Sequence, residues 1–199
     1  MREAKYLGVT IKQDLKWETH INNISKKANS TLGFLRRNLK VTSCSIKEKA
    51  YKSLVRPQVE YASPVWDPYL KKNIDQIEMV QRRAARFVVN RYRNTSSVGN
   101  MLQHLQWRSL ADRRKDARLT MMYKIHHGEV AISSSQLAPV IRQTRHSHHL
   151  SMQTISCRTS VRKESFFPRT IKDWNSLPTK IISSESVSAF KLAISAHSY

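Results

Sequence analysis

Glycine is scarce in this chain: four in 199 residues, with six prolines. Collagen-like and low-complexity classes need those residues in bulk and are excluded. The only two cysteines, Cys44 and Cys157, stand 113 positions apart, too few for a disulfide scaffold. A reducing compartment, nuclear or cytoplasmic and intracellular rather than secreted, is therefore the expectation. Long hydrophobic runs are also missing. Phe87-Val88-Val89 is among the longest, far short of a membrane span. Residues 1–15 hold no apolar signal-peptide core. Acidic residues number 14 against 35 Lys+Arg, leaving a net charge of +21. Such an excess fits a polyanionic partner, nucleic acid before an acidic membrane. The apolar fraction of 40% is near globular and too high for a disordered basic tail. The length suffices for one ordinary domain or two small ones with a real core.

Catalytic patterns are missing as well. The six aspartates do not cluster at metal-pair spacing in an apolar strand. Gly-x-Ser-x-Gly, a Walker loop, a dinucleotide fingerprint and His-Glu-x-x-His do not occur. His146, His148 and His149 lie near Cys157, but without Cys-x-x-Cys or His-x-x-x-His spacing they read as a polar loop rather than a zinc site.

Helical periodicity dominates what remains, so the predicted class is mainly α, with one short N-terminal strand. Residues 5–11 are β-branched and aromatic and read as that strand, with no strong partner soon after. Over 17–39, Trp17, Ile21, Ile24, Ala28, Leu32, Leu35 and Leu39 fall in one arc, with Lys26, Arg36, Arg37 and Lys40 away from it. Ser45-Ile46-Lys47-Glu48 fits a capping box for a second helix, which Pro57 bends or ends. Pro64 and Asp67-Pro68 mark a turn around Trp66. Residues 69–90 give the clearest helix. Ile74, Ile77, Val80, Ala84 and Phe87 share one face, and Lys71, Lys72, Arg82, Arg83 and Arg86 share the other. Ser96 or Ser97 caps a short helix to Leu105, and a further helix runs over 109–127 from Ser109 to a stop at Gly128. Residues 129–164 lack periodicity and read as a linker or extended segment, and a last short helix covers about 185–196.

Two readings stay open for the cations. The basic face of 69–90 either tracks phosphates or is a solvated surface. Arg113, Arg114, Lys115 and Arg118 open the next helix against its macrodipole. Arg114 there is either a phosphate ligand or a packed arginine paired with a carboxylate such as Asp112 or Glu78. Lys26, Lys27, Arg36 and Arg37 offer a second basic surface. Of Trp17, Trp66, Trp107 and Trp174, which could stack on bases, at least three are expected to pack between helices.

Read in order, the pieces resemble one family. They are Lys5-Tyr6-Leu7-Gly8-Val9, Leu32-Gly33-Phe34-Leu35-Arg36-Arg37-Asn38-Leu39, and Tyr51-Lys52-Ser53-Leu54-Val55-Arg56-Pro57 with Glu60-Tyr61-Ala62-Ser63-Pro64-Val65-Trp66-Asp67-Pro68. Val80-Gln81-Arg82-Arg83-Ala84-Ala85-Arg86-Phe87 and Trp174-Asn175-Ser176-Leu177-Pro178 follow. The string is similar to the C-terminal part of the reverse transcriptase of animal non-LTR retrotransposons (LINEs) of the jockey and CR1 type, across about 5–195. The resemblance implies a residual palm strand and turn over 1–16 and a thumb-like helical domain over 17–128. A linker over 129–164 and a C-terminal extension over 165–199 complete it. It implies a fragment of an RNA-directed DNA polymerase that holds the template–primer duplex through basic helix faces. The family's catalytic aspartates and two magnesium ions sit upstream, so this chain is expected to have no cofactor and no catalytic residue of its own. Expected partners are RNA, DNA or an RNA–DNA duplex and the upstream palm, with no membrane and no small-molecule substrate. The other reading is a decayed or host-adopted remnant, acting as a protein-interaction module or without function.

Overall fold

The computed structural model describes residues 3–93, 95–140 and 148–197. The chain is mostly helical, with one short two-stranded antiparallel sheet at its N-terminal end. It divides into two units, Met1–Ala111 and Asp112–Tyr199.

The strand expected over 5–11 is a hairpin. β1 (Glu3–Tyr6) pairs with β2 (Val9–Lys12), Tyr6 opposite Val9. The two residues between them, Leu7 and Gly8, both have positive φ, +45° and +83°. A two-residue loop with both residues left-handed matches strand twist, which lets so short a segment supply its own partner. Asn-Gly or Asp-Gly would announce that turn; Leu-Gly hides it.

Three helical runs build the first unit. α1 (Glu18–Asn38) buries Ile21, Ala28, Leu32 and Leu35. The return run begins with α2 (Cys44–Ala50), passes through a π-helical turn (Tyr51–Val55) and ends in α3 (Arg56–Glu60). The cap of α2 is Ser43, whose hydroxyl accepts from the Ile46 N–H, not Ser45 as the capping-box spacing suggests. Glu48 is instead drawn to Lys52 (2.6 Å) and to the Trp107 indole N–H (2.9 Å). Pro57 does not end this run. It has no N–H to give and its ring crowds the carbonyl one turn back. The wider turn just before it, with the Arg56 N–H donating to the Tyr51 carbonyl, absorbs that conflict.

α4 (Ser63–Trp66) is a single turn that seats Trp66 in the core, its indole N–H donating to the Tyr61 carbonyl at 2.7 Å. α5 (Lys71–Val89) then buries Ile77, Val80, Ala84, Phe87 and Val88 against the same core. Asn90 closes α5 in the left-handed region, with Arg91 N–H reaching back to the Arg86 carbonyl. α6 (Val98–His104), capped by Ser97, ends the same way at Gln106.

α7 (Leu110–His126) begins at the end of the first unit and continues into the second. Gly128, at φ +69°, ends it with a paired Schellman closure: Gly128 N–H to Ile125 and Glu129 N–H to Lys124. In the second unit α8 (Ser160–Lys163) buries no residue, while α9 (Phe166–Asn175), α10 (Thr179–Ile182) and α11 (Val187–Ala196) pack with Leu119, Met122 and Tyr123 of α7. Trp174 is fully buried in this core. Described residues of 129–164 join this core, with Leu137, Leu150 and Ile155 packed against it. Met152 enters this core, and the Asn175 side chain brackets its backbone, accepting from Met152 N–H (2.9 Å) and donating to its carbonyl (2.7 Å). Trp174 likewise donates to the Leu150 carbonyl. The Trp174-Asn175 pair therefore serves as a clamp for this stretch.

Candidate nucleic-acid interface

Polar side chains join α1 to α5 at three levels. Lys72 Nζ donates to Glu18 Oε1 at 2.7 Å, Gln76 Nε2 to Asn22 Oδ1 at 2.7 Å, and Arg83 Nη1 to Asn29 Oδ1 at 3.0 Å. Each pair is 54 residues apart, so the helices run parallel and in register. The return run passes antiparallel to α5: Cys44 Sγ donates to the Val88 carbonyl at one end, and Tyr51 Oη to Gln81 Oε1 further along. Exposed ion pairs stabilise little. The buried faces hold the pair together, and the polar seam sets its register.

Opposite the core, both helices present cations to solvent. Lys71, Lys72, Arg82 and Arg83 on α5 are exposed, as are Lys26, Lys27, Arg36 and Arg37 on α1. Arg86 is half-buried, with its Nε enclosed. Acidic residues on this surface are engaged: Asp75 faces Lys71 at 3.5 Å, and Glu18 pairs with Lys72. The hydrogen bond and charge of Lys72 lower the Glu18 pKa, and Glu18 raises that of Lys72. Arg36 stacks over the Tyr92 ring at 4.9 Å. Arg82 has no ion-pair partner among the described residues.

Arg114 lies on α7, in the second unit. It is 1% exposed, which fits the packed reading of that side chain and leaves it unable to meet a phosphate in this conformation. Arg118, its neighbour on α7, is 3% exposed and donates to Asp173 (2.9 Å) and to the Thr170 hydroxyl (3.3 Å). The tryptophans pack: Trp66 and Trp174 are fully buried, Trp107 stacks on Tyr51 at 4.5 Å, and Trp17 lies partly buried on the first core.

His146 lies outside the described residues. His148 is buried with Nε2 3.4 Å from the Trp174 carbonyl, while Cys157 Sγ donates to the Ile155 carbonyl. Among the described residues no group of three or more His, Cys, Asp or Glu is placed to hold a metal ion. Among them, too, no helix is long and apolar enough to cross a membrane.

Periodicity finds the α5 face but misses the seam residues Asn22, Asn29 and Gln76. Isolated amides on a polar face carry no signal until the parallel pairing is known.

Over 69 residues the chain is 30% identical to a 115 kDa protein in the type-1 retrotransposable element R1DM of Drosophila melanogaster. The match covers 33% of this chain and 7% of that protein, so the chain spans only a small part of its relative. The likeness supports a retrotransposon-related origin. No family model and no solved structure matches the chain.

Proposed function

We propose that this chain is a nucleic-acid-binding fragment of a retrotransposon RNA-directed DNA polymerase. In this reading the outer face of α1 and α5 acts as part of a thumb and holds a template–primer duplex. The observation that supports it is the parallel pairing of two basic helices, with Lys26 and Arg37 exposed on one and Arg82 and Arg83 exposed on the other. The net charge of +21 and the retrotransposon likeness support it. Cations on helix faces contact phosphates and follow duplex shape, without reading bases. The partner class is thus RNA, DNA or an RNA–DNA duplex. Arg83 keeps donors to spare while bonded to Asn29, since a guanidinium carries five. The two-metal phosphoryl transfer of the parent enzyme would belong to an upstream palm, and this chain supplies grip rather than chemistry.

The test replaces Arg82, Arg83 and Arg86 together with Gln and measures duplex affinity against salt. Each lost phosphate contact lowers the slope of log affinity against log salt by about 0.7–0.9, so the triple variant should flatten it by about two. Circular dichroism should show retained helix. A folded triple variant with an unchanged slope would remove α5 from the interface. The same measurement on Lys26, Lys27, Arg36 and Arg37 would then decide whether α1 alone carries it.

A further inference from the structure

We infer that the seam between α1 and the return run, with the hairpin turn at one end, docks an acidic amphipathic segment of a partner protein. The seam lies wholly in the first unit. It is the side of α1 turned from α5. Asn29 bonds Arg83 of α5, Thr31 bonds Gln58 of α3, and residues two apart on a helix diverge by about 160°. The duplex-holding reading therefore plays no part in it.

The Thr31–Gln58 hydrogen bond (3.0 Å) fixes which side chains meet along the seam. α1 and the return run are antiparallel, since α1 runs with α5 and the return run against it. One turn to one side of that bond stand Lys27 on α1 and Tyr61 just after α3. One turn to the other side stand Phe34 on α1 and Leu54 on the return run. Leu7, at the hairpin turn, joins Tyr61, whose hydroxyl donates to the Leu7 carbonyl at 3.1 Å. Leu7, Phe34, Leu54 and Tyr61 are each at least half exposed. Apolar side chains exposed singly are ordinary, but a row of them marks an interaction surface. Around Leu7, Lys27 and Tyr61 the row opens into a groove of about 590 Å³.

Two of these residues are held in place ahead of any partner. The Tyr61 ring lies 3.5 Å from where a Cβ on Gly8 would stand, and its hydroxyl bond fixes its far end. Leu7 has φ +45° and is 72% exposed. A branched side chain is strained there, and glycine or asparagine would fill the turn at less cost. So exposed a leucine adds little burial to the fold, and the strain points to a contact made outside it. Charge then selects the partner. Lys5 and Lys27 line the groove, and among the described residues no Asp or Glu does. A second copy would set the patch against itself, lysine toward lysine. A duplex presents phosphates, which leave Leu7, Phe34 and Leu54 unmatched. An acidic segment with apolar anchors along one face answers both the row and the lysines.

The experiment titrates the full chain, at about 0.15 M salt, with a labelled peptide of about sixteen residues, leucine at i, i+3, i+4 and i+7 spacing and glutamate and alanine elsewhere. A scrambled peptide of the same composition and a version with lysine for glutamate are the controls. The first peptide should saturate and bind about tenfold tighter than either control. Phe34→Ser together with Leu54→Ser should weaken it by about tenfold, and Lys27→Glu by about three- to tenfold. Circular dichroism should show both variants folded, since exposed substitutions change stability little. Duplex affinity of the Phe34–Leu54 variant should stay unchanged, so a chain that binds the peptide and no duplex sinks the duplex-holding reading alone. The inference is overturned if the scrambled peptide binds as tightly, or if the folded Phe34–Leu54 variant binds the peptide unchanged. A single-stranded oligonucleotide that displaces the peptide and loses affinity in that variant would give the seam to nucleic acid instead. A dimer that dissociates in that variant would give it to a second copy.

Discussion

His20 sits where the hairpin, α1 and Trp66 meet, its ring edge-on to the indole at 5.2 Å. Burial pushes its pKa down from the ordinary histidine value, and burial does the same to His148 in the second unit. A base whose pKa is lowered by folding binds protons more readily when unfolded. Stability from such a group is complete above about pH 6.5 and is lost as pH falls through the folded-state value. Protonating Nδ1 of His20 would also break its bond with the Thr10 N–H. Chemical denaturation should therefore show stability constant from about pH 8 to about pH 7 and falling toward about pH 5. A flat profile across that window would mean that neither ring is held neutral. Leu7 is the second residue with consequences beyond its neighbours. Its positive φ is strained for a branched side chain, and the same peptide offers its carbonyl to Tyr61.

Among the elements, α1 and α5 were the most legible in the sequence, because 21 and 19 residues repeat one period with a buried stripe. The α5 cations were legible for the same reason. The hairpin was not, because Leu7 conceals the turn, and neither was the wide turn before Pro57, where a proline reads as a stop. α9 was missed as a helix: Phe166-Phe167-Pro168 looks like a break, yet proline in a first turn costs nothing in lost donors. The groove lined by Lys5, His20, Lys27, Gln58 and Tyr61 could not be read at all, since these residues come from β1, α1, α3 and the residue after it and only the fold assembles them. On α5, Ala84 is fully buried within the first core. Ala84→Leu should overpack it and destabilise by about 1–3 kcal/mol, measured by urea denaturation, with helical content retained. A change within about 0.5 kcal/mol would show slack in that core.

Across the whole molecule the basic excess is shared. Residues 1–111 carry 21 Lys+Arg and 8 Asp+Glu, and residues 112–199 carry 14 and 6. Both units therefore fold against their own like charge, and that repulsion reaches farther at low ionic strength. The screening length shrinks from about 30 Å at 0.01 M to about 8 Å at 0.15 M salt. Thermal unfolding should accordingly move upward by a few degrees between those conditions, the opposite of what a fold held by surface ion pairs would do. A melting temperature that falls with salt would show that pairs such as Lys72–Glu18 and Lys115–Asp173 outweigh the repulsion.

The parallel run of α1 and α5 also aligns two peptide macrodipoles. Their positive ends lie together near Glu18, and their negative ends lie together near Arg36, Arg37 and Arg86, the basic residues of the last turns. Side by side, such dipoles repel; basic residues sit at both negative ends and Glu18 at the positive end of α1, whereas α5 opens with Lys71 and Lys72 and has no acidic residue in its first turn. The cations at the far end are thus partly spent on the helices themselves, while Lys26 and Arg82, away from the termini, keep their full field for a ligand. The face is graded along its length, and a bound polyanion would feel one end of it more strongly than the other.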